Sequence, residues 1–337
     1  MLIFIRSPCV NMLKTLAPVI AFGLASVAAL PFNSTLYRRG TSALFPVSDS
    51  NSWSVSSQVA NALPLSDDTF QPTHDLKALP HKYVKAPDGV FSLQAHYPKG
   101  SFKPSASPQG GLSFYAPGPA SVDLTTAKEA TLSYTVLFED GFDFVKGGKL
   151  PGLYGGDSDE IAVSCSGGRR DNGCFSVRFM WRTDGNGELY TYLPPSSPAN
   201  KAVCNVPPFS TCNDVFGASV GRGAFKFEPG SRATIGQRIK LNDVGQANGE
   251  IELFVDGKSM FTVPGLELVT SDQGRIRGIQ MQTFFGGEIH IMRSSLLYST
   301  GWLADYGNLL GSDSSWATPK DQNTFFGDFS VAITQKL

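Results

Sequence analysis

Charge of one sign is not in excess in this chain. Its 28 Lys and Arg stand against 29 Asp and Glu, a formal net charge of −1 over 337 residues. A balance of that kind does not steer polyanions, so a site for one must come from local clustering. Nucleic acid is not an expected partner. Histidine is scarce, four in all, and HExxH, GxGxxG and P-loop patterns are missing. Their absence removes the usual signatures of zinc hydrolases, dinucleotide binding and phosphate cradling. Helical periodicity is absent after residue 30, and so is any further apolar run long enough to span a bilayer. There is no internal repeat. No CxxC or paired histidines accompany the five cysteines, which argues against zinc. Asp184-Gly185-Asn186-Gly187 reads as a turn, because no later glutamate completes a calcium loop. Neither a metal nor an organic cofactor is expected.

What is present begins with a secretory pattern. Arg6 and Lys14 precede an apolar run from Leu16 to Leu30, and Ser26-Val27-Ala28-Ala29 offers small residues for cleavage. Met12 is an alternative start. Residues 1–29 are read as a signal peptide, giving a secreted, extracellular protein without a membrane anchor after cleavage. Cys9 falls in that segment. The remaining Cys165, Cys174, Cys204 and Cys212 are an even set suited to two disulfides. Three connectivities exist; the short spacings favour Cys165–Cys174 and Cys204–Cys212. Asn33-Ser34-Thr35 is the one N-glycosylation sequon. Residues 30–85, rich in Ser, Pro and Asn, read as a poorly ordered leader with His74 and His81 as solvated loop residues.

From residue 86 to 337 the pattern is all-β. Val90–Pro98, Leu112–Pro117, Ala130–Glu139, Ala224–Gly230, Ala233–Asn242, Arg275–Gly287 and Asn323–Ile333 read as strands. Glu250–Val263 reads as a hairpin turning at Asp256-Gly257. Many short strands at this spacing imply a β-jelly roll or concanavalin-like sandwich of two antiparallel sheets. A monomer is expected.

One stretch concentrates chemistry. In Cys174–Arg182, Phe175, Val177, Phe179 and Trp181 fall on one face, and Ser176, Arg178, Met180 and Arg182 on the other. In Glu188–Pro194, Tyr190 and Tyr192 share a face. Arg178 can join the tyrosines only if opposed positions sum to an even number. That requires an odd connection near Thr183–Gly187 or a glycine bulge; a two-residue turn would separate them. Lys149 precedes these strands, and Lys146, Arg169, Arg170 and Arg182 add local positive charge. Such a group suits proton abstraction next to a carboxylate. A cation at the carboxylate stabilises the enolate-like intermediate, and tyrosine can act as base or acid once nearby cations lower its pKa from about 10.

Several segments resemble polysaccharide lyase family 14, as a fungal-type secreted member. They are Lys149-Leu150-Pro151-Gly152-Leu153 with Gly155-Gly156, then Ser176-Val177-Arg178 and Tyr190-Thr191-Tyr192. Gln280–Gly287, Trp316–Asp321 and Phe326–Phe329 continue the likeness, which covers about residues 88–337. The resemblance implies a jelly-roll lyase of alginate or glucuronan type acting on an acidic polysaccharide. It implies catalytic roles for Tyr192, Tyr190, Lys149 and Arg178, with Tyr192 as the main proton-transfer residue. Ser176, Arg182, Gln280, Gln282 and Lys146 are expected to contact substrate.

The sequence departs from the family pattern at Glu288–Gly311, which separates the FFGG strand from the Trp-Ala-Thr-Pro segment. It reads as an insertion, either lineage-specific or a retained intron, so His290 is discounted from the site. Two other readings stand beside the lyase. One is a non-catalytic carbohydrate-binding module. The other is a glycoside hydrolase, which needs two carboxylates and finds only Asp157, Asp159 and Glu160 on a glycine-rich loop.

Overall fold

The computed structural model describes residues 41–48, 51–213, 215–287 and 313–337. The expected signal peptide, Asn33 and the 288–311 insertion lie outside these residues. In chain order the strands are β1 (Asn51–Ser54), β2 (Lys82–Lys85), β3 (Phe91–Tyr97), β4 (Leu112–Ala116), β5 (Ala127–Phe138), β6 (Gly147–Gly156) and β7 (Cys174–Arg182). They continue as β8 (Asn186–Tyr192), β9 (Ala218–Lys226), β10 (Arg232–Lys240), β11 (Gly249–Val255), β12 (Lys258–Leu266), β13 (Arg275–Phe285) and β14 (Gln322–Lys336). Two four-residue helices, α1 (Asp67–Phe70) and α2 (Asp159–Ala162), interrupt the loops.

The strands form two antiparallel sheets. One runs β12-β11-β10-β5-β14-β3-β2 with β1 added on β14; the other runs β4-β13-β6-β7-β8-β9. This is the expected β-jelly roll. Alternation decides which side of each strand enters the core. Phe175, Val177, Phe179 and Trp181 of β7 are fully buried, and each contributes about 1.5–3 kcal/mol by leaving water. Trp181 packs edge-on to Tyr97, Phe138 and Phe285, with centroids 5.2–6.1 Å apart. Gly148 permits this: a Cβ there would fall 2.1 Å from the Trp181 ring. Both expected disulfides, Cys165–Cys174 and Cys204–Cys212, are present.

The segment read as a loose leader corrects the sequence reading over residues 51–85. β1 pairs with β14 and β2 with β3. Trp53, Leu65, Phe70 and Leu79 are buried, and Phe70 packs on Trp53, Phe114 and Phe329. His81 is not a solvated loop residue either. Its ring lies 4.7 Å from that of Phe114, and Nε2 stands 2.7 Å from the Asp67 carboxylate. The hydrophobic residues of this stretch are too widely spaced to show a period, yet Trp53, Leu65 and Phe70 join the core of the sandwich. His74 is exposed, as expected.

Candidate active site

The site lies on the face of the six-stranded sheet turned away from the aromatic core. Register across β7 and β8 sets Ser176 opposite Tyr192 and Arg178 opposite Tyr190. The last pair before the turn is Trp181 with Gly187. The connection from Arg182 to Asn186 is therefore odd, and the even sum required of Arg178 and the tyrosines is met. Asp184 and Gly185 take left-handed backbone angles, φ 60° and 77°, which close this turn.

Lys149 reaches the same face through a bulge. It pairs with Met180, whereas Gly152 pairs with Arg178, so Leu150 and Pro151 together oppose Phe179. Without the extra residue Lys149 would stand opposite Trp181, on the core side. Pro151 is the local cause, since it has no N–H to give the ladder and is tolerated in a central strand only at such a point. Its carbonyl accepts from the buried Tyr134 hydroxyl at 2.9 Å.

The side chains form a compact polar cluster. Lys149 Nζ sits 2.8 Å from the centroid of the Tyr190 ring and donates to Met180 Sδ at 3.1 Å. The Tyr190 and Tyr192 rings are 5.8 Å apart. Arg178 donates from Nε to Leu150 O at 3.3 Å, from Nη1 to Gln282 Oε1 at 3.0 Å, and from Nη2 to Gln282 O. These bonds fix the guanidinium plane and use three of its five donors. Burial pushes Arg178 down to about 10, against the phenols of Tyr115, Tyr192, Tyr134 and Tyr190, so it stays charged at neutral pH. Gln280 donates to Tyr115 Oη at 3.3 Å and to Gln282 Oε1 at 3.2 Å, and Gln282 donates to Ser113 Oγ at 3.0 Å. Burial pushes the Tyr115 phenol up, opposed by Arg178 and Arg169.

Three residues expected to contact substrate have partners within the protein. Arg182 pairs with Glu188, Nε at 2.8 Å and Nη2 at 2.7 Å, and only 4% of its surface is exposed. Ser176 Oγ donates to the Cys165 carbonyl at 2.8 Å. Lys146 donates to Ser315 Oγ, before β6 begins.

Sequence reasoning passed over two groups. Glu188 is fully buried on the tyrosine face, where Arg222 and Ser219 join Arg182 in donating to it. Tyr115 lies beside Gln280 across β4 and β13. The alternation in β8 contained a signal for Glu188, which shares parity with Tyr190 and Tyr192. No local pattern pointed to Tyr115. Among the described residues no cluster of His, Cys, Asp and Glu is arranged to hold a metal ion.

The family description Polysaccharide lyase 14 matches residues 86–295. The chain belongs to this family of lyases. Among solved structures, this lyase is similar to the marine alginate lyase of the same family from Aplysia kurodai. The two are 28% identical with a TM-score of 0.65, over 85% of this chain and 100% of that one. It is also similar to an alginate lyase from a Chlorella virus, 21% identical with a TM-score of 0.59, over 80% and 94% of the two chains. The alginate lyase Aly36B bound to an alginate tetrasaccharide shares the fold at 17% identity and a TM-score of 0.50, over 75% and 83%. A comparison with curated proteins gave no match. Among the described residues of the lyase no helix is long and apolar enough to cross a membrane.

Proposed function

We propose that this lyase is secreted and cleaves a polyuronate of alginate or glucuronan type by β-elimination. The observation that carries the reading is the register placing Arg178 opposite Tyr190 and beside Tyr192, with Lys149 over the Tyr190 ring. The two remaining donors of Arg178 engage the uronate carboxylate and offset the charge that builds up as C5 loses its proton. Lys149 adds a second cation to the same space. Tyr192 takes the C5 proton. The electron pair left at C5 forms the C4–C5 double bond, the C4–O bond breaks, and Tyr190 gives its proton to the departing oxygen. Gln282 holds Arg178 in place, and Gln280 continues the polar surface toward Tyr115.

The kinship with alginate lyases supports an acidic substrate, and the disulfides suit an oxidising compartment. Incubation with alginate blocks and with glucuronan tests the reading through ultraviolet absorbance of the unsaturated product. At least one polymer gives a rising signal that Lys149→Ala and Tyr192→Phe abolish. Binding without any absorbance change would assign the chain to a binding module instead.

A further inference from the structure

The disulfide Cys165–Cys174 closes a loop that runs from α2 to the start of β7. Besides the disulfide and a side-chain hydrogen bond between Ser166 and Tyr115, the loop is tied to the site face at three points. Tyr115 Oη donates to Val163 O at 3.3 Å, and Ser176 Oγ to Cys165 O at 2.8 Å. At the third point the loop is the donor: the Gly168 N–H reaches Tyr192 Oη at 3.0 Å. Gly168 has φ +86°, and a Cβ there would lie 2.9 Å from the Phe216 ring, so the N–H is aimed by a conformation and a packing that favour glycine.

A backbone N–H donates and never accepts. It therefore stabilises a phenolate oxygen more than a phenol oxygen. We infer that the Cys165–Cys174 loop is a working part of the active site: its Gly168 N–H holds the Tyr192 oxygen as the proton acceptor of the reaction. Gly168 is a positioning residue, and the disulfide keeps it in place. The inference rests on the proposed role of Tyr192. The charged and titratable groups beside that phenol include Arg178 on β7 and Tyr190 on β8, whose ring carries Lys149 of β6; Arg169 follows Gly168 in the loop. Gly217, just before β9, lies against the Tyr192 ring and brings no charge at that point. The loop N–H thus acts on the oxygen itself, beside the cations that Arg178 and Lys149 bring from the strands.

Two variants test this, Gly168→Ala and the double variant Cys165→Ser/Cys174→Ser. Carbon-13 NMR of labelled tyrosines follows the Tyr192 titration directly, with Tyr192→Phe assigning the signal. In both variants the Tyr192 midpoint rises by about one pH unit, roughly a tenfold loss of phenolate at fixed pH. The acid limb of the kcat/KM profile moves up with it. An unchanged midpoint in a folded Gly168→Ala protein overturns the inference, whatever the activity. If the double variant does not fold, Gly168→Ala alone decides. A shifted midpoint in a protein inactive on every polyuronate upholds the hydrogen bond and refutes the proposed function instead.

Discussion

Arg178 and Tyr190 face each other directly across β7 and β8, on the side of the sheet away from the core. The pairing brings a fixed guanidinium beside a phenol whose ring carries the Lys149 ammonium. Planarity and two-point contact are the properties that matter in Arg178, and lysine supplies neither. Arg178→Lys therefore lowers kcat by about a hundredfold or more while charge is retained. Steady-state kinetics on the preferred polymer checks this; near wild-type kcat would remove Arg178 from the carboxylate.

Gln282 carries a prediction of its own. It is bonded to Arg178 through both its side chain and its carbonyl. Gln282→Ala removes a hydrogen bond to a charged group, about 1.5–3 kcal/mol. The expected result is a drop in kcat/KM of roughly ten- to hundredfold. A circular dichroism spectrum identical to wild type separates this effect from unfolding.

Glu188 contributes to acid stability. Desolvation pushes its carboxyl up, but Arg182 and Arg222, with hydrogen bonds from Arg182 and Ser219, outweigh burial and hold it below the usual value of 4.5. A carboxylate with a lowered folded-state pKa stabilises the protein fully above its unfolded value and loses that contribution as pH falls through the folded one. Wild-type stability declines in that window below 4.5. Glu188→Gln flattens the decline and costs about 3 kcal/mol or more at neutral pH, because a buried guanidinium loses its counter-charge. Urea unfolding at a series of pH values measures both effects.

The N-terminal segment is structural. Phe70→Ala empties a fully buried site between Trp53, Phe114 and Phe329 and costs about 3–5 kcal/mol. A chain beginning at residue 86 lacks β1 and β2 and exposes the surfaces they cover. Its thermal midpoint falls well below that of a chain beginning at residue 41. Equal midpoints would show the segment to be dispensable.

Gly287, just before the segment read as an insertion (288–311), packs against Trp316 beyond it. A Cβ on Gly287 would fall 2.3 Å from Met180 Cε and 3.0 Å from the Trp316 ring. A variant lacking 288–311 is expected to fold and to keep lyase activity, as thermal unfolding and the absorbance assay would show. Loss of both would make the insertion integral to the protein. Transcript reads across the region test the intron reading separately; uniformly unspliced transcripts refute it.

Alternation along β7 and β8 made the core face and the Arg–Tyr face legible, because side chains in a strand obey a period of two wherever the strand is regular. Short cysteine spacings pointed to the disulfides for a similar local reason. What local pattern could not reach was pairing between distant parts of the chain. The stretch around Trp53 and Phe70 has no period of its own and becomes ordered only against Phe114 and Phe329. Arg182 looked like a groove residue until Glu188, six positions on, turned out to hold it. The sequence by itself determined that Arg178, Tyr190 and Tyr192 would share a face once the turn was odd. Only the tertiary structure decided that Lys149 joins them, because the face of a strand residue depends on every bulge before it, and the one at Leu150-Pro151 exists only in the pairing of β6 with β7.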